Sequence, residues 1–231
     1  MIRVEPQPEP PTFDHEVRQP GTALVQELTG DPDAPRRPGP KRRAIAATVA
    51  GIPPKYFRKD HFWTRCLPDL QVCYGRTCAY LGMQIHPATG ASSVDHFRPV
   101  EKRPDLAFEW TNYRLATTAV NGRKGSHEDV LDPFQIEDGW FVLDLGTFEV
   151  RAGPDLDSGL RSQVEATIRR LGLNEPIYCE SRATYHDECL GLGEAEALGP
   201  DWLGRNCPFV AVEMKRQGLL GTTTLEEEAS P

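Results

Sequence analysis

SSVDHFRPVEKRPDLAFEWTNYRLATTAVNGRKGSH, running from Ser92 to His127, gathers the chemistry-bearing residues of this chain into one stretch. It holds the pair Asp95-His96, two asparagines nine residues apart at Asn112 and Asn121, and Lys124 three residues further on. An Asp-His dipeptide alone carries little, since Asp14-His15 and Asp60-His61 repeat it elsewhere in the chain. Only the third copy has such neighbours. The turn residues Pro87-Ala88-Thr89-Gly90 predict a strand leading out to Asp95-His96, and a second strand is expected near Tyr113 to Ala116. From about Thr118 the chain reads as helical, which places Asn121 and Lys124 on one face.

Residues 1–43 form a proline-rich N-terminal arm, read as extended with one short helical insert near 23–28. Residues 44–153 make the central region. Its first part, to Leu81, is helical with breaks at Pro53, Pro54 and Pro68, and Phe57, Phe62, Trp63, Leu67, Leu70 and Val72 are expected to pack against the rest of that region. Residues 139–153 alternate enough to predict a hairpin or strand pair. Residues 154–221 form a C-terminal helical region: Leu160, Val164, Ile168 and Leu171 recur at helical spacing before Gly172, and another helix is expected within 207–220. The acidic tail, 222–231, has too little apolar content to order itself. Strands interleaved with helices make the expected class α+β.

The net charge is −8, which argues against a protein that coats nucleic acid through bulk positive charge. Local distribution differs from the sum, because residues 31–76 carry ten Lys or Arg against four Asp. The longest apolar run, AIAATVAGI at 44–52, is far short of the ~20 residues of a membrane helix. No membrane association is expected. The opening MIRVEPQPEPPTFDHE has prolines and acids where a secretory signal has a basic end and an apolar block, so a cytoplasmic location is expected. The six cysteines contain no Cys-x-x-Cys spacing and read as free thiols.

The central residue types suit hydrolysis of a phosphodiester, which needs an activated water, a base and a cation to neutralise phosphoryl oxygens. Asp95 is a hard oxygen ligand suited to Mg²⁺, and Asn121 offers a neutral second oxygen. His96 titrates near neutrality and can act as the base. Lys124, one helical turn after Asn121, is expected to meet the phosphate.

These residues resemble the HNH nucleases, the ββα-metal (His-Me finger) group: VDHFRP is similar to that family's Asp-His motif, TNYRL to its central asparagine strand, and VNGRKG to its closing Asn-x-x-Lys on the helix. The resemblance implies a ββα-metal core, in the region 44–153, within a mostly helical domain. It implies a metal-dependent endonuclease cutting DNA, with RNA left open. It further implies that Asp95 and Asn121 hold one Mg²⁺ or Mn²⁺, that His96 is the general base, that Asn112 braces the histidine's loop, and that Lys124 approaches the scissile phosphate. Arg98, Lys102, Arg103 and Arg123 are the expected nucleic-acid contacts, and Arg114 is weighed with them against salt bridging.

A broader similarity, from about Cys78 to Asn174, is to bacterial HNH proteins of Septu-like and retron-linked antiphage systems. It implies antiviral defence beside a partner ATPase, with a subunit silent without that partner as an alternative. Many HNH proteins frame the site with a zinc knuckle of two Cys-x-x-Cys pairs. The corresponding positions here read Cys78, Leu81, Thr117 and Val120, so no structural zinc is expected and packing by Tyr80, Leu81 and Val120 takes its place.

Overall fold

A π-helical turn, Asp14–Arg18, runs directly into α1 (Gln19–Thr29). Pro20 lies inside this continuous helical run, just where the π-helical turn passes into α1, so its missing N–H falls where the hydrogen-bond register changes. Phe13, Val17, Leu24 and Leu28 recur at helical spacing and are buried in the central core. The arm expected to be extended is therefore helical from Asp14 to Thr29. Gly21 has a packing reason: a Cβ there would lie 2.2 Å from the Phe108 ring. In the computed structural model, the described residues are 1–35, 40, 42–88, 90–192 and 196–220. The tail at 222–231 lies outside them.

Helix α2 (Pro54–Asp60), a 3₁₀ turn (Phe62–Cys66) and α3 (Leu67–Cys73) come next. Phe57, Phe62, Trp63 and Leu70 are buried as expected, each apolar side chain contributing about 1.5 to 3 kcal/mol by leaving water. Val72 is not buried but 82% exposed. Two residues apart on a helix means roughly 200° around its axis, so burying Leu70 turns Val72 outward.

Strand β1 (Ser92–His96) pairs antiparallel with β2 (Tyr113–Thr117), setting Val94 opposite Leu115, Asp95 opposite Arg114 and His96 opposite Tyr113. Helix α4 (Thr118–Lys124) leaves β2 without a loop, because the Thr117 hydroxyl accepts from Val120 N and caps it. The segment before β1 is tied to β2 by Ala79 N donating to the Leu115 carbonyl at 2.8 Å. The Cys78 thiol lies among the backbone N–H groups of Thr117, Leu81 and Tyr80, and burial pushes its pKa up. Cys78, Tyr80, Leu81 and Val120 are all buried in one apolar cluster.

A second antiparallel pair, β3 (Phe141–Leu143) with β4 (Val150–Ala152), lies in the expected 139–153 stretch. Helix α5 (Ser158–Leu171) begins at Asp157, whose carboxylate accepts from Gly159 N and Leu160 N, and ends at Gly172 in the left-handed region. Then come α6 (Pro176–Leu190), α7 (Gly199–Asn206) and α8 (Pro208–Arg216). Arg182 on α6 is fully buried and donates to the Phe148 and Leu173 carbonyls. Glu213 on α8 is buried too and accepts from Leu143 N on β3. Among the described residues there are eight α-helices and two small antiparallel sheets, an α+β fold. No helix among them is long and apolar enough to cross a membrane.

Candidate active site

Successive residues of a strand point to opposite faces, so Asp95 and His96 at the end of β1 meet different surroundings. Asp95 faces inward. Its Oδ1 accepts from Lys124 Nζ at 3.0 Å and its Oδ2 from the Tyr80 hydroxyl. Lys124 also donates to the His96 carbonyl at 2.8 Å, so α4 is bolted to β1 at two points. The Lys124 side chain is 0% exposed and lines no part of the pocket over β1. In this fold the ammonium expected to meet a phosphate bonds Asp95 and the His96 carbonyl, because the short helix α4 packs against β1 and its last residue meets the strand there.

His96 stands edge-on between two rings, with centroids 4.9 Å from Trp63 and 5.0 Å from Tyr113. Its Nε2 lies 2.9 Å from the Ala107 carbonyl oxygen, which also accepts from the Tyr113 hydroxyl at 2.7 Å. A carbonyl can only accept, so Nε2 carries the proton and Nδ1 carries the lone pair. Burial lowers the pKa of His96, opposed by the bond to Ala107 and by the Asp95 charge. The imidazole is thus held neutral with one nitrogen free to take a proton.

Asn112 closes the loop that leaves His96. Its Oδ1 accepts from Arg98 N at 2.8 Å while its Nδ2 donates to the Arg98 and Leu106 carbonyls at 3.0 and 3.1 Å. These side-chain hydrogen bonds all go to loop backbone, which holds 98–107, and with it Ala107, in place. Asn121 uses its Nδ2 on Ser93 Oγ and on the Val94 carbonyl, at 3.1 and 3.2 Å. Because the Val94 oxygen must receive a donor, the Asn121 amide orientation is settled, and its Oδ1 has no hydrogen-bond partner among the described residues.

A pocket of about 450 Å³ lies over this end of β1, lined by Asp95, His96 and Asn121 together with Ser93, Trp63 and Glu101. Arg58, hydrogen-bonded to Glu101, and His61 also reach it. His61 has a left-handed backbone (φ 47°) and its ring meets Trp63 at 5.4 Å. Arg58, His61 and Trp63 at the pocket carry no sequence signal toward the site, because no motif links them to Asp95-His96, while Tyr80, expected as packing in place of zinc, also bonds Asp95 from beneath. Tyr113 is different. Counting back along two antiparallel strands puts it opposite His96.

The four expected nucleic-acid contacts do not line the pocket. Arg103 is chelated by Asp105 at 2.6 Å, Arg123 pairs with Glu175 at 3.2 Å, and Arg98 lies 3.8 Å from Glu128. Lys102 is exposed in the loop between the strands. Arg114 is sealed inside, doubly bonded to Asp132 and stacked 3.5 Å over the Phe134 ring. Each of these arginines sits within reach of a carboxylate.

Among the described residues no group of three or more His, Cys, Asp or Glu side chains is placed to hold a metal. Of the two carboxylates that line the pocket, Glu101 is taken by Arg58, which leaves Asp95 beside the unpartnered amide oxygen of Asn121. Asp95 accepts two hydrogen bonds of the about four its oxygens can take, leaving room for a further partner. That donor set suits a hard cation that keeps most of its waters, such as Mg²⁺ or Mn²⁺, and does not suit zinc. No protein-family model matches this chain, and no curated protein matches it.

Proposed function

We propose that the chain is a metal-dependent endonuclease with an HNH (ββα-metal) core, hydrolysing phosphodiester bonds of DNA. The observation that carries this reading is His96: its Nε2–H is anchored on the Ala107 carbonyl and its Nδ1 is left as an acceptor, beside a pocket it shares with Asp95 and Asn121. The order strand, strand, helix in β1, β2 and α4 supports the core assignment.

In this reading Asp95 and Asn121 hold the divalent ion, whose chemistry when bound is to neutralise charge on the phosphoryl and leaving oxygens. His96 Nδ1 takes the proton of the attacking water, and burial keeps that nitrogen unprotonated at neutral pH. Asn112 fixes the loop that presents the Ala107 carbonyl, so the imidazole cannot swing away. Lys124 acts from beneath by sharing the Asp95 carboxylate, which sets how much negative charge remains for the ion. Tyr80 orients the other oxygen of Asp95.

His96→Ala tests the assignment. With unchanged far-UV circular dichroism, plasmid nicking in Mg²⁺ should fall about 10² to 10⁴-fold, the usual share of a positioned base. Cleavage at the wild-type rate would refute it. Parallel DNA and RNA substrates decide between the two polymers, because the site meets a phosphodiester rather than a base edge.

A further inference from the structure

Helix α2 borders a second cleft. Arg58 reaches the His96 pocket, while Tyr56 and Lys59, on the neighbouring face of the same helix, line a cleft of about 280 Å³ with Arg42, Arg43, Leu28 and Ile45. Among the described residues no carboxylate lines it. Arg42 is the fixed member: its backbone N–H donates to Glu27 Oε1 at 2.7 Å, and its Nη2 donates to both Asp60 oxygens at 3.1 and 2.8 Å. Its Nη1 is buried and has no hydrogen-bond partner among the described residues. Arg43 and Lys59 are exposed and make no ion pair among those residues.

Two exposed cations, Arg43 and Lys59, beside an arginine held rigidly by Asp60 make a site for an anion with several oxygens. The surroundings say which anion. Residues 31–76 carry ten basic residues against four Asp in a chain whose net charge is −8, and Arg42, Arg43 and Lys59 of the cleft all belong to that segment. We propose that the Arg42–Arg43–Lys59 cleft binds a backbone phosphate of the nucleic-acid strand whose scissile phosphodiester occupies the His96 pocket. This rests on the nuclease reading for the identity of the strand, and adds a place where the polymer is gripped away from the reacting bond. It makes a polynucleotide, rather than a mononucleotide or small diester, the substrate class.

The experiment is equilibrium binding of a fluorescent single-stranded oligonucleotide, about 20 nucleotides long, to the full chain in EDTA over a salt series from about 50 to about 300 mM. Removing two phosphate contacts with Arg43→Ala/Lys59→Ala should lower the slope of log K against log salt by about 1.4 and weaken binding roughly ten- to thirtyfold at about 0.1 M salt. Arg205→Ala/Lys215→Ala, the same charge change on α7 and α8, controls for net charge and should leave the slope as it is. Equal losses in both double variants would mean only bulk charge and would overturn the cleft. So would wild-type affinity in the Arg43/Lys59 variant, or no measurable binding by the wild type. Because no cleavage occurs in EDTA, the nuclease reading fails separately: a chain that binds through the cleft but nicks no substrate in Mg²⁺ keeps the subsite and loses the catalysis.

Discussion

Lys124 Nζ lies 3.0 Å from Asp95 Oδ1 with both side chains buried, at 0% and 2% exposure. A buried pair of this kind is costly to form and more costly to break, because removing one charge strands the other. The remaining donors matter: Tyr80 satisfies the second Asp95 oxygen and the His96 carbonyl takes another Lys124 proton. The pair therefore locks α4 onto β1 beneath the imidazole.

Lys124→Met should destabilise the fold by about 3 to 5 kcal/mol, the usual cost of stranding one partner of a buried pair. Asp95→Asn in the same chain should recover part of that loss. Urea denaturation of the two single variants and the double variant measures the coupling. Additive effects would show that the two groups do not interact in solution as they do in this fold.

Asn112→Ala removes three hydrogen bonds to the 98–107 loop and leaves the Arg98 N–H and carbonyl without this partner, while the Leu106 carbonyl keeps only the Glu109 N–H. A loss of about 1 to 3 kcal/mol is expected for such groups, together with a nicking rate reduced more than the folded fraction explains. The Ala107 carbonyl that orients His96 would no longer be held. A variant as active per folded molecule as the wild type would separate Asn112 from the imidazole.

Asp144 caps the turn between β3 and β4. The backbone N–H groups of Gly146 and Thr147 bond its Oδ1, at 2.9 and 3.1 Å, and hold its carboxyl below the usual range, helped by Arg151. Since the folded value is below the unfolded value of 3.8, this stabilisation is present above pH 3.8 and is lost as pH falls through the folded value. Asp144→Asn should lower Tm near neutral pH, with the gap to wild type closing in acid. A gap that stays constant down to about pH 3 would exclude the charged turn as its source.

Much of the local architecture is legible in the chain. The strand ending at Asp95-His96, the strand at 113–116 and the helix from Thr118 follow from turn residues and period, and the structure has β1, β2 and α4 there. Helix α5 is readable because Leu160, Val164, Ile168 and Leu171 form a stripe closed by Gly172. Helix α6 is not. Its inward face is held by a buried arginine bonded to carbonyls, a pattern that apolar periodicity does not register. The helical stretch at 14–29 is obscured by Pro20, which reads locally as a breaker but lies where the π-helical turn passes into α1.

Residue order alone establishes which chemical groups stand near one another along the chain: Asp95 beside His96, Asn121 one turn before Lys124, and a basic segment in an acidic protein. Short-range periodicity is enough for that, because neighbouring side chains on a strand or helix have fixed directions. What each group spends its hydrogen bonds on is settled in three dimensions. Lys124 meets Asp95, arginines of β2 and α4 meet carboxylates from distant segments, and Arg58 and His61 reach the His96 pocket from α2 and the residue just after it. Arg114 and Asp132 are 18 residues apart, and Arg123 and Glu175 are separated further still. Pairing across such separations is set by how the elements pack, and packing leaves no local mark on the chain.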